Sequence, residues 1–210
     1  MFPPLYSILD PDVAHSPLPS LAVALADAGV QLMQLRDKRS GAGKLYTQAK
    51  GLEALLAPRG VRLIVNDRPD VAALSGAGGV HVGQDDLPVE EARRVCGPGL
   101  WVGVSTHNLE QLRRAAATSA DYIAVGPIFP TSTKENPDPV VGVEFIRAAR
   151  ALTTKPLVAI GGITLERAAE VFRAGAESVA VIHDLLAARD PAARARAYLA
   201  VAEQALPRSR

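Results

Sequence analysis

Asp67 and Asp86 each stand a few residues past a short, mostly apolar run, Val61 to Val65 and Val80 to Val82. Arg36 and Lys38 follow a third run, Val30 to Leu35, and Lys134 follows a fourth, Tyr122 to Val125. If these runs are parallel strands of one barrel, all five charges converge on one rim. Two carboxylates among three cations make a poor packed core. They make a good cradle for Mg²⁺ and a diphosphate, with the carboxylates on the metal and the cations on the remaining phosphate oxygens.

Each candidate also has a plainer reading. Gln34-Leu35-Arg36-Asp37-Lys38, if extended, sends Gln34, Arg36 and Lys38 to one side, into the mouth of a barrel; otherwise the segment is a solvated charged turn. Asp67 and Asp86 lie one βα unit apart, which places them at adjacent strand ends. Adjacent carboxylates repel unless a cation lies between them or one is protonated. Alternatively, Asp67 caps a helix entered at Arg68-Pro69-Asp70, and Asp85 or Asp86 caps the helix near Pro88-Val89-Glu90. Gly161-Gly162-Ile163 precedes a helix, where free backbone N–H groups attract anions. Val181-Ile182-His183 would supply the other half of a barrel phosphate site. His183 either bonds a phosphate there or caps a short helix. His81 falls inside a strand and reads as a satisfied core histidine, and Cys96 as a packing residue. Tyr6 and Asp10 lie near the end of the first strand, within reach of a substrate, and the sequence leaves their role open.

The elements that must hold these residues alternate. Strands are expected near Leu5–Leu9, Val30–Leu35, Val61–Val65, Gly79–Val82, Trp101–Val104, Tyr122–Val125, Pro156–Ile160 and Ser178–Ile182. Helical stretches include Glu90 to Cys96, Gly142 to Leu152 and Leu165 to Ala174. Several strands are apolar throughout, as in a parallel sheet buried on both faces. Small-residue phrases such as Ala28-Gly29-Val30, Ala77-Gly78-Gly79-Val80 and Ala174-Gly175-Ala176 read as helix ends with a left-handed glycine feeding the next strand. The pattern predicts a single (β/α)₈ TIM barrel over residues 1–210. A doubly wound open sheet would carry a glycine-rich fingerprint after its first strand, and Leu9-Asp10-Pro11-Asp12 is not one. Pro127 to Pro139 is the most irregular stretch, and loops of that length are commonly functional.

Composition narrows the class. The chain has 210 residues, 48% hydrophobic, with 23 Lys+Arg against 22 Asp+Glu. Such a balance argues against a broad nucleic-acid-binding face. A single cysteine excludes an internal disulfide and points to a reducing cytoplasm. The N-terminus lacks the features of a signal peptide, and no run is apolar and long enough to span a membrane.

Six ordered blocks resemble thiamine-phosphate synthases. They are Gln34-Leu-Arg36-Asp-Lys38, Ile64-Val-Asn66-Asp67-Arg68, Val80-His-Val-Gly-Gln84-Asp-Asp86, Gly103-Val-Ser105-Thr-His107, Gly126-Pro-Ile-Phe-Pro-Thr131-Ser-Thr133-Lys134 and Ala159-Ile-Gly161-Gly162-Ile. The resemblance runs from Leu5 to about Ala195 and implies a TIM barrel. It further implies Mg²⁺-assisted joining of 4-amino-2-methyl-5-hydroxymethylpyrimidine diphosphate to 4-methyl-5-(2-phosphoethyl)thiazole, giving thiamine phosphate and diphosphate. By the same resemblance Gln34 and Asn66 contact the aminopyrimidine, and Arg36, Lys38, Ser105 and Lys134 hold the diphosphate. Asp67 and Asp86 bind Mg²⁺, and Thr131, Ser132, Thr133, Gly162, Ile182 and His183 surround the thiazole phosphate. The family commonly forms dimers, so a homodimer is the expected assembly. One departure is His183, where the family usually carries serine. Two rival readings stand beside this one. One is a thiazole tautomerase, whose relatives carry histidine where this chain has Pro127. The other is a non-catalytic barrel that binds a phosphorylated ligand.

Overall fold

The computed structural model describes residues 1–131 and 138–206. Strands β1 (Leu5–Leu9), β2 (Leu32–Leu35), β3 (Arg62–Asn66), β4 (Gly79–Val82), β5 (Trp101–Thr106), β6 (Tyr122–Val125), β7 (Leu157–Ile160) and β8 (Ser178–Val181) pair in parallel in chain order. The sheet closes through β8 onto β1. The outer layer is α1 (Leu18–Asp27), α2 (Ala42–Leu56), α3 (Pro69–Ser75), α4 (Val89–Cys96), α5 (Leu109–Ala116), α6 (Val143–Leu152), α7 (Leu165–Arg173), the short α8 (His183–Leu186) and α9 (Pro191–Ala205). This is the expected (β/α)₈ barrel.

Alternation along each strand divides the core in two. Tyr6, Ile8, Leu32, Ile64, Tyr122, Ala124, Val158 and Ala180 fill the lumen. Leu5, Leu9, Met33, Leu35, Leu63, Val65 and Val179 face outward against the helices. Both faces are dry, so the strands read as continuous apolar runs rather than as alternating ones. Truncating one of the outward leucines to alanine would cost about 2–5 kcal/mol, since the close-packed helices collapse only partly into the gap.

The strand ends differ from expectation in ways that matter for the rim. Val30 does not begin β2; its N–H satisfies the Leu25 carbonyl at the end of α1 (3.1 Å). β5 extends to Thr106, so Ser105 sits within a paired strand opposite Ala124. The left-handed glycine that ends α3 is Gly76, at φ 79°, upstream of the Gly78-Gly79 pair. Cys96 packs as expected, buried with its thiol directed at the Pro69 carbonyl.

Candidate active site at the mouth of the barrel

The carboxyl ends of the strands surround a cavity of about 730 Å³. Every described residue assigned to the site lines it: Gln34, Arg36, Lys38, Asn66, Asp67, Asp86, Ser105, Thr131, Gly162, Ile182 and His183. Ser132, Thr133 and Lys134 lie outside the described residues.

Asp67 and Asp86 are neighbours on this rim. Asp67 follows β3 with φ 61°, the only positive φ at a non-glycine among the described residues. Aspartate tolerates that left-handed conformation better than most side chains, yet it still costs energy that the surroundings must offset. Its backbone N–H donates to the His81 carbonyl at 2.8 Å, which anchors the turn to β4. Burial raises the Asp67 pKa, Lys38 opposes that rise, and the charge and hydrogen bonding of Asp86 add to it. The two acids are therefore close enough to feel each other directly. Asp86 is held in turn by the Gly83 N–H, which donates to its Oδ2 at 2.7 Å. Neither acid caps a helix. The N-cap of α3 is Arg68 and that of α4 is Pro88, both without a side-chain cap bond. Among the described residues no group of three or more His, Cys, Asp or Glu side chains gathers for a metal. A pair of oxygen donors suits a hard ion that completes its shell with water and substrate oxygens, such as Mg²⁺, better than a closed zinc site.

The bases are held in place by the acids. Arg36 is ion-paired to Asp10, which is 3% exposed at the end of β1. Register explains the pair: β1 and β2 run side by side to Leu9 and Leu35, so the next residues of each chain, Asp10 and Arg36, emerge together. The Arg36 N–H also donates to the Leu9 carbonyl at 3.0 Å. Lys38 Nζ lies 3.2 Å from Asp67 Oδ2. Gln34 and Arg36 thus form an ordered wall of the cavity, while Lys38 lines its edge with 56% of its side chain in solvent.

Beneath the charged rim, the lumen carries a run of polar groups. Gln34 Nε2 donates to the Tyr6 hydroxyl at 2.7 Å. Tyr6 and Tyr122 hydroxyls are 2.9 Å apart, Tyr122 and His81 Nδ1 3.0 Å, and His81 Nε2 and Ser105 Oγ 2.8 Å. Burial drives the His81 pKa down to about 4, so the ring is neutral at physiological pH. Burial likewise raises both tyrosines, which stay protonated. His81 is a satisfied, buried histidine, as the sequence suggested, and it also borders the cavity.

Opposite the acids lies a glycine-lined hollow. Gly161 and Gly162 have φ 97° and 62°, and a Cβ on Gly162 would fall 2.3 Å from the Pro130 carbonyl and 2.8 Å from the Phe129 Cβ. Only glycine lets the chain after β7 pass this close under the β6 loop. His183 is exposed at the first position of α8; the N-cap there is Ile182, with no side-chain cap bond, so the capping role considered for His183 is not realised. Behind it, Asp184 accepts from Arg194 (2.8 and 3.0 Å), from Tyr198 (2.6 Å) and from the Leu165 N–H (3.2 Å). That cluster ties α9 to the starts of α7 and α8.

Three residues at or beside the cavity make contacts that the sequence does not show: His107 and Arg167 line it, and Asp10 pairs with the lining residue Arg36. For Asp10, the partner Arg36 is visible only once the register is known. His107 bonds the Gly126 carbonyl through Nδ1 at 2.6 Å and lies 3.5 Å from Asp138 through Nε2. Arg167 stacks over Phe129 at 4.6 Å and donates to the Gly162 carbonyl at 3.1 Å. A helix-face arginine just past a Gly-Gly turn carries no local signal of that contact.

Comparisons with known proteins bear on the family and the fold. The thiamine monophosphate synthase family model matches residues 5–185. The thiamine-phosphate synthase of Koribacter versatilis is 51% identical over 205 residues, covering 95% of each chain. That of Methanoculleus marisnigri is 42% identical over 196 residues, covering 91% of this chain and 92% of its own. Among solved structures, the thiamine phosphate pyrophosphorylase of Pyrococcus furiosus superposes with a TM-score of 0.87 at 31% identity, covering 97% of both chains. The chain belongs to the thiamine monophosphate synthase family.

Proposed function

We propose that this chain joins 4-amino-2-methyl-5-hydroxymethylpyrimidine diphosphate to 4-methyl-5-(2-phosphoethyl)thiazole, releasing diphosphate and forming thiamine phosphate. The observation that carries the reading is the facing pair Asp67 and Asp86 in the same cavity as Arg36, Lys38 and the Gly161-Gly162 hollow. An acid pair flanked by cations fits a metal diphosphate, and a second anion site across the cavity fits the phosphate of the other substrate.

In this reading Gln34 and Asn66 orient the aminopyrimidine over the lumen. Arg36, kept in place by Asp10, and Lys38 take the diphosphate oxygens, with Ser105 below them and Lys134 assigned from the resemblance alone. Asp67 and Asp86 hold Mg²⁺, which when bound supplies Lewis-acid stabilisation of the charge that develops on the departing diphosphate. The aminopyrimidine ring feeds electron density to its exocyclic methylene, so the C–O bond breaks ahead of attack. The thiazole nitrogen then forms the new C–N bond. It carries no proton, so the residues need not supply a general base, and their work is electrostatic and positional. Thr131, Ser132, Thr133, Gly162, Ile182 and His183 surround the thiazole phosphate.

Two lesser assignments belong to the same reading, a cytoplasmic setting and a homodimer. The first is supported by the lone, buried Cys96 and by the lack of a membrane-crossing helix among the described residues; the second follows from the family resemblance. The test is formation of thiamine phosphate from the two purified substrates, with and without Mg²⁺. Product formation that requires both substrates and the ion is the expected result, and absence of product under all conditions would reject the assignment.

A further inference from the structure

The buried luminal cluster, with Phe2 and Trp101 packed against it, is mostly apolar, and burying hydroxyls and an imidazole there costs more than burying leucines would. Five polar side chains nonetheless run unbroken across it, from Gln34 through Tyr6, Tyr122 and His81 to Ser105, with every step between 2.7 and 3.0 Å. Space has been cleared for the central ring. Gly103 on β5 faces Tyr122 so closely that a Cβ there would lie 2.0 Å from the ring and 2.4 Å from its hydroxyl. Both ends of the run open into the cavity.

We propose that Tyr6, Tyr122 and His81 form a one-way hydrogen-bond relay that fixes Gln34 as an acceptor and Ser105 as a donor toward the two halves of the bound pyrimidine diphosphate. The choice of substrate rests on the function proposed above; the direction of the relay does not. Direction follows from proton counting. The Gln34 amide nitrogen can only donate, so the Tyr6 oxygen accepts. Tyr6 has one proton, and its other partner is Tyr122, so that proton points there. Tyr122 now accepts, and its own proton goes to His81 Nδ1. A ring protonated on both nitrogens would leave the Tyr122 proton with no acceptor in the run. The His81 proton therefore sits on Nε2 and is given to Ser105 Oγ.

The consequence appears at the two ends. With its nitrogen turned inward, Gln34 presents its carbonyl oxygen to the mouth, where an exocyclic amino group needs an acceptor. With its oxygen already accepting from His81, Ser105 has its proton to give, which is what a diphosphate oxygen needs. Reversing the run would present a donor to the amine and an acceptor to the anion. One polarity thus serves both halves of the same substrate; Tyr122, which does not line the cavity, is a positioning residue, while Tyr6 and His81 link it to the two ends and border the cavity themselves.

The test uses the full chain with ¹⁵N-labelled histidine, free of ligand, at neutral pH. The chain has four histidines, so His81 is assigned by elimination with His15→Gln, His107→Gln and His183→Gln. Long-range ¹H–¹⁵N correlation should show His81 protonated on Nε2 and bare on Nδ1. Tyr122→Phe keeps the ring and removes the link, so the second tautomer should appear. The same variant should raise KM for the pyrimidine diphosphate by about tenfold, as for one hydrogen bond to a charged group, and leave KM for the thiazole phosphate within about twofold. General loss of structure would not separate the two constants. A wild-type His81 protonated on Nδ1, or an unchanged KM for the pyrimidine diphosphate in Tyr122→Phe, overturns the relay. An Nε2-protonated His81 in a wild-type chain that makes no thiamine phosphate instead overturns the functional reading and the substrate named here, and leaves the polarity standing.

Discussion

Lys38 Nζ sits 3.2 Å from Oδ2 of Asp67, on the carboxylate that also faces Asp86. An ammonium group thus partly neutralises an acid pair that a divalent ion would neutralise more fully. Removing either acid should weaken the metal seat without touching the lumen. Asp67→Asn and Asp86→Asn are each expected to reduce turnover by at least about 10²-fold, the scale of losing a principal electrostatic group. Steady-state assays across a Mg²⁺ titration check this, and near-normal rates in both variants would remove the acids from the site.

The acid pair also makes a pH prediction in the absence of metal. Burial raises the Asp67 pKa, Lys38 lowers it, and Asp86 raises it again through its charge and hydrogen bond. Asp86→Asn deletes the neighbouring charge and offers an amide N–H to the carboxylate. Both changes favour the ionised form, so Asp67 should titrate at lower pH in the variant than in the wild type. Lys38→Ala removes the opposing cation and should move Asp67 further up. Carboxyl ¹³C titration followed by NMR reads both shifts, and movement in the same direction for the two variants would contradict the geometry.

Gly162 is constrained twice over. Its φ of 62° is unfavourable for any side chain, and a Cβ would press on the Pro130 carbonyl from 2.3 Å. Gly162→Ala must move the β6 loop or the turn after β7. KM for the thiazole phosphate is expected to rise by at least about tenfold, with a smaller effect on the pyrimidine diphosphate, since misplacing one wall of an anion site acts locally. Equal changes in both constants would show that Gly162 serves the fold alone.

Asp184 anchors α9 beneath the hollow and supplies stability that depends on pH. Burial alone would raise its pKa, but hydrogen bonds from Arg194 and Tyr198 and the guanidinium charge outweigh burial and hold it below the ordinary carboxylate value of 3.8. A carboxylate depressed in the native state stabilises the fold above its unfolded pKa, and that contribution disappears as pH falls through the lower native value. Arg194→Leu should therefore cost about 2–3 kcal/mol at pH 7, less than a fully buried pair because 26% of the arginine side chain is exposed. The cost should shrink toward zero once Asp184 is protonated. Urea unfolding at neutral and acid pH measures the difference; a cost independent of pH would assign Arg194 to packing instead.

Much of this architecture is written in local pattern. The apolar runs mark the strands because both faces of each are buried, and the acids and bases that follow them mark the rim. Residues whose partners are set by register are less visible. Asp10 meets Arg36 because β1 and β2 end level at Leu9 and Leu35. Tyr6 meets Tyr122 across 116 residues because both are on the inward parity of their strands, and either could pass as core filler. The sequence could expose the inward face of each strand but not which inward residues share a layer. The left-handed stop of α3 is hard to place for a related reason: three glycines fall close together, at 76, 78 and 79, and only the backbone shows that Gly76 makes the turn.

His183 is where the chain departs from the serine usual in the family, and the structure says how much that should matter. The side chain is exposed, makes no cap bond to α8, and follows Ile182, whose carbonyl accepts the first bonds of that helix from Leu185 (3.2 Å) and Leu186 (2.9 Å). Among the described residues, no side-chain hydrogen bond or ion pair involves the imidazole. If the thiazole phosphate is gripped by backbone N–H groups around Gly162 and the turn after β8, a serine at 183 loses little and gains little. His183→Ser should then leave kcat unchanged and KM for the thiazole phosphate within about threefold, since exposed polar contacts contribute little net free energy. A rise in that KM beyond about tenfold would mean that the imidazole is a direct phosphate ligand. A comparable fall would mean that it crowds the anion. Either result would move the phosphate toward the start of α8 and away from the Gly161-Gly162 turn.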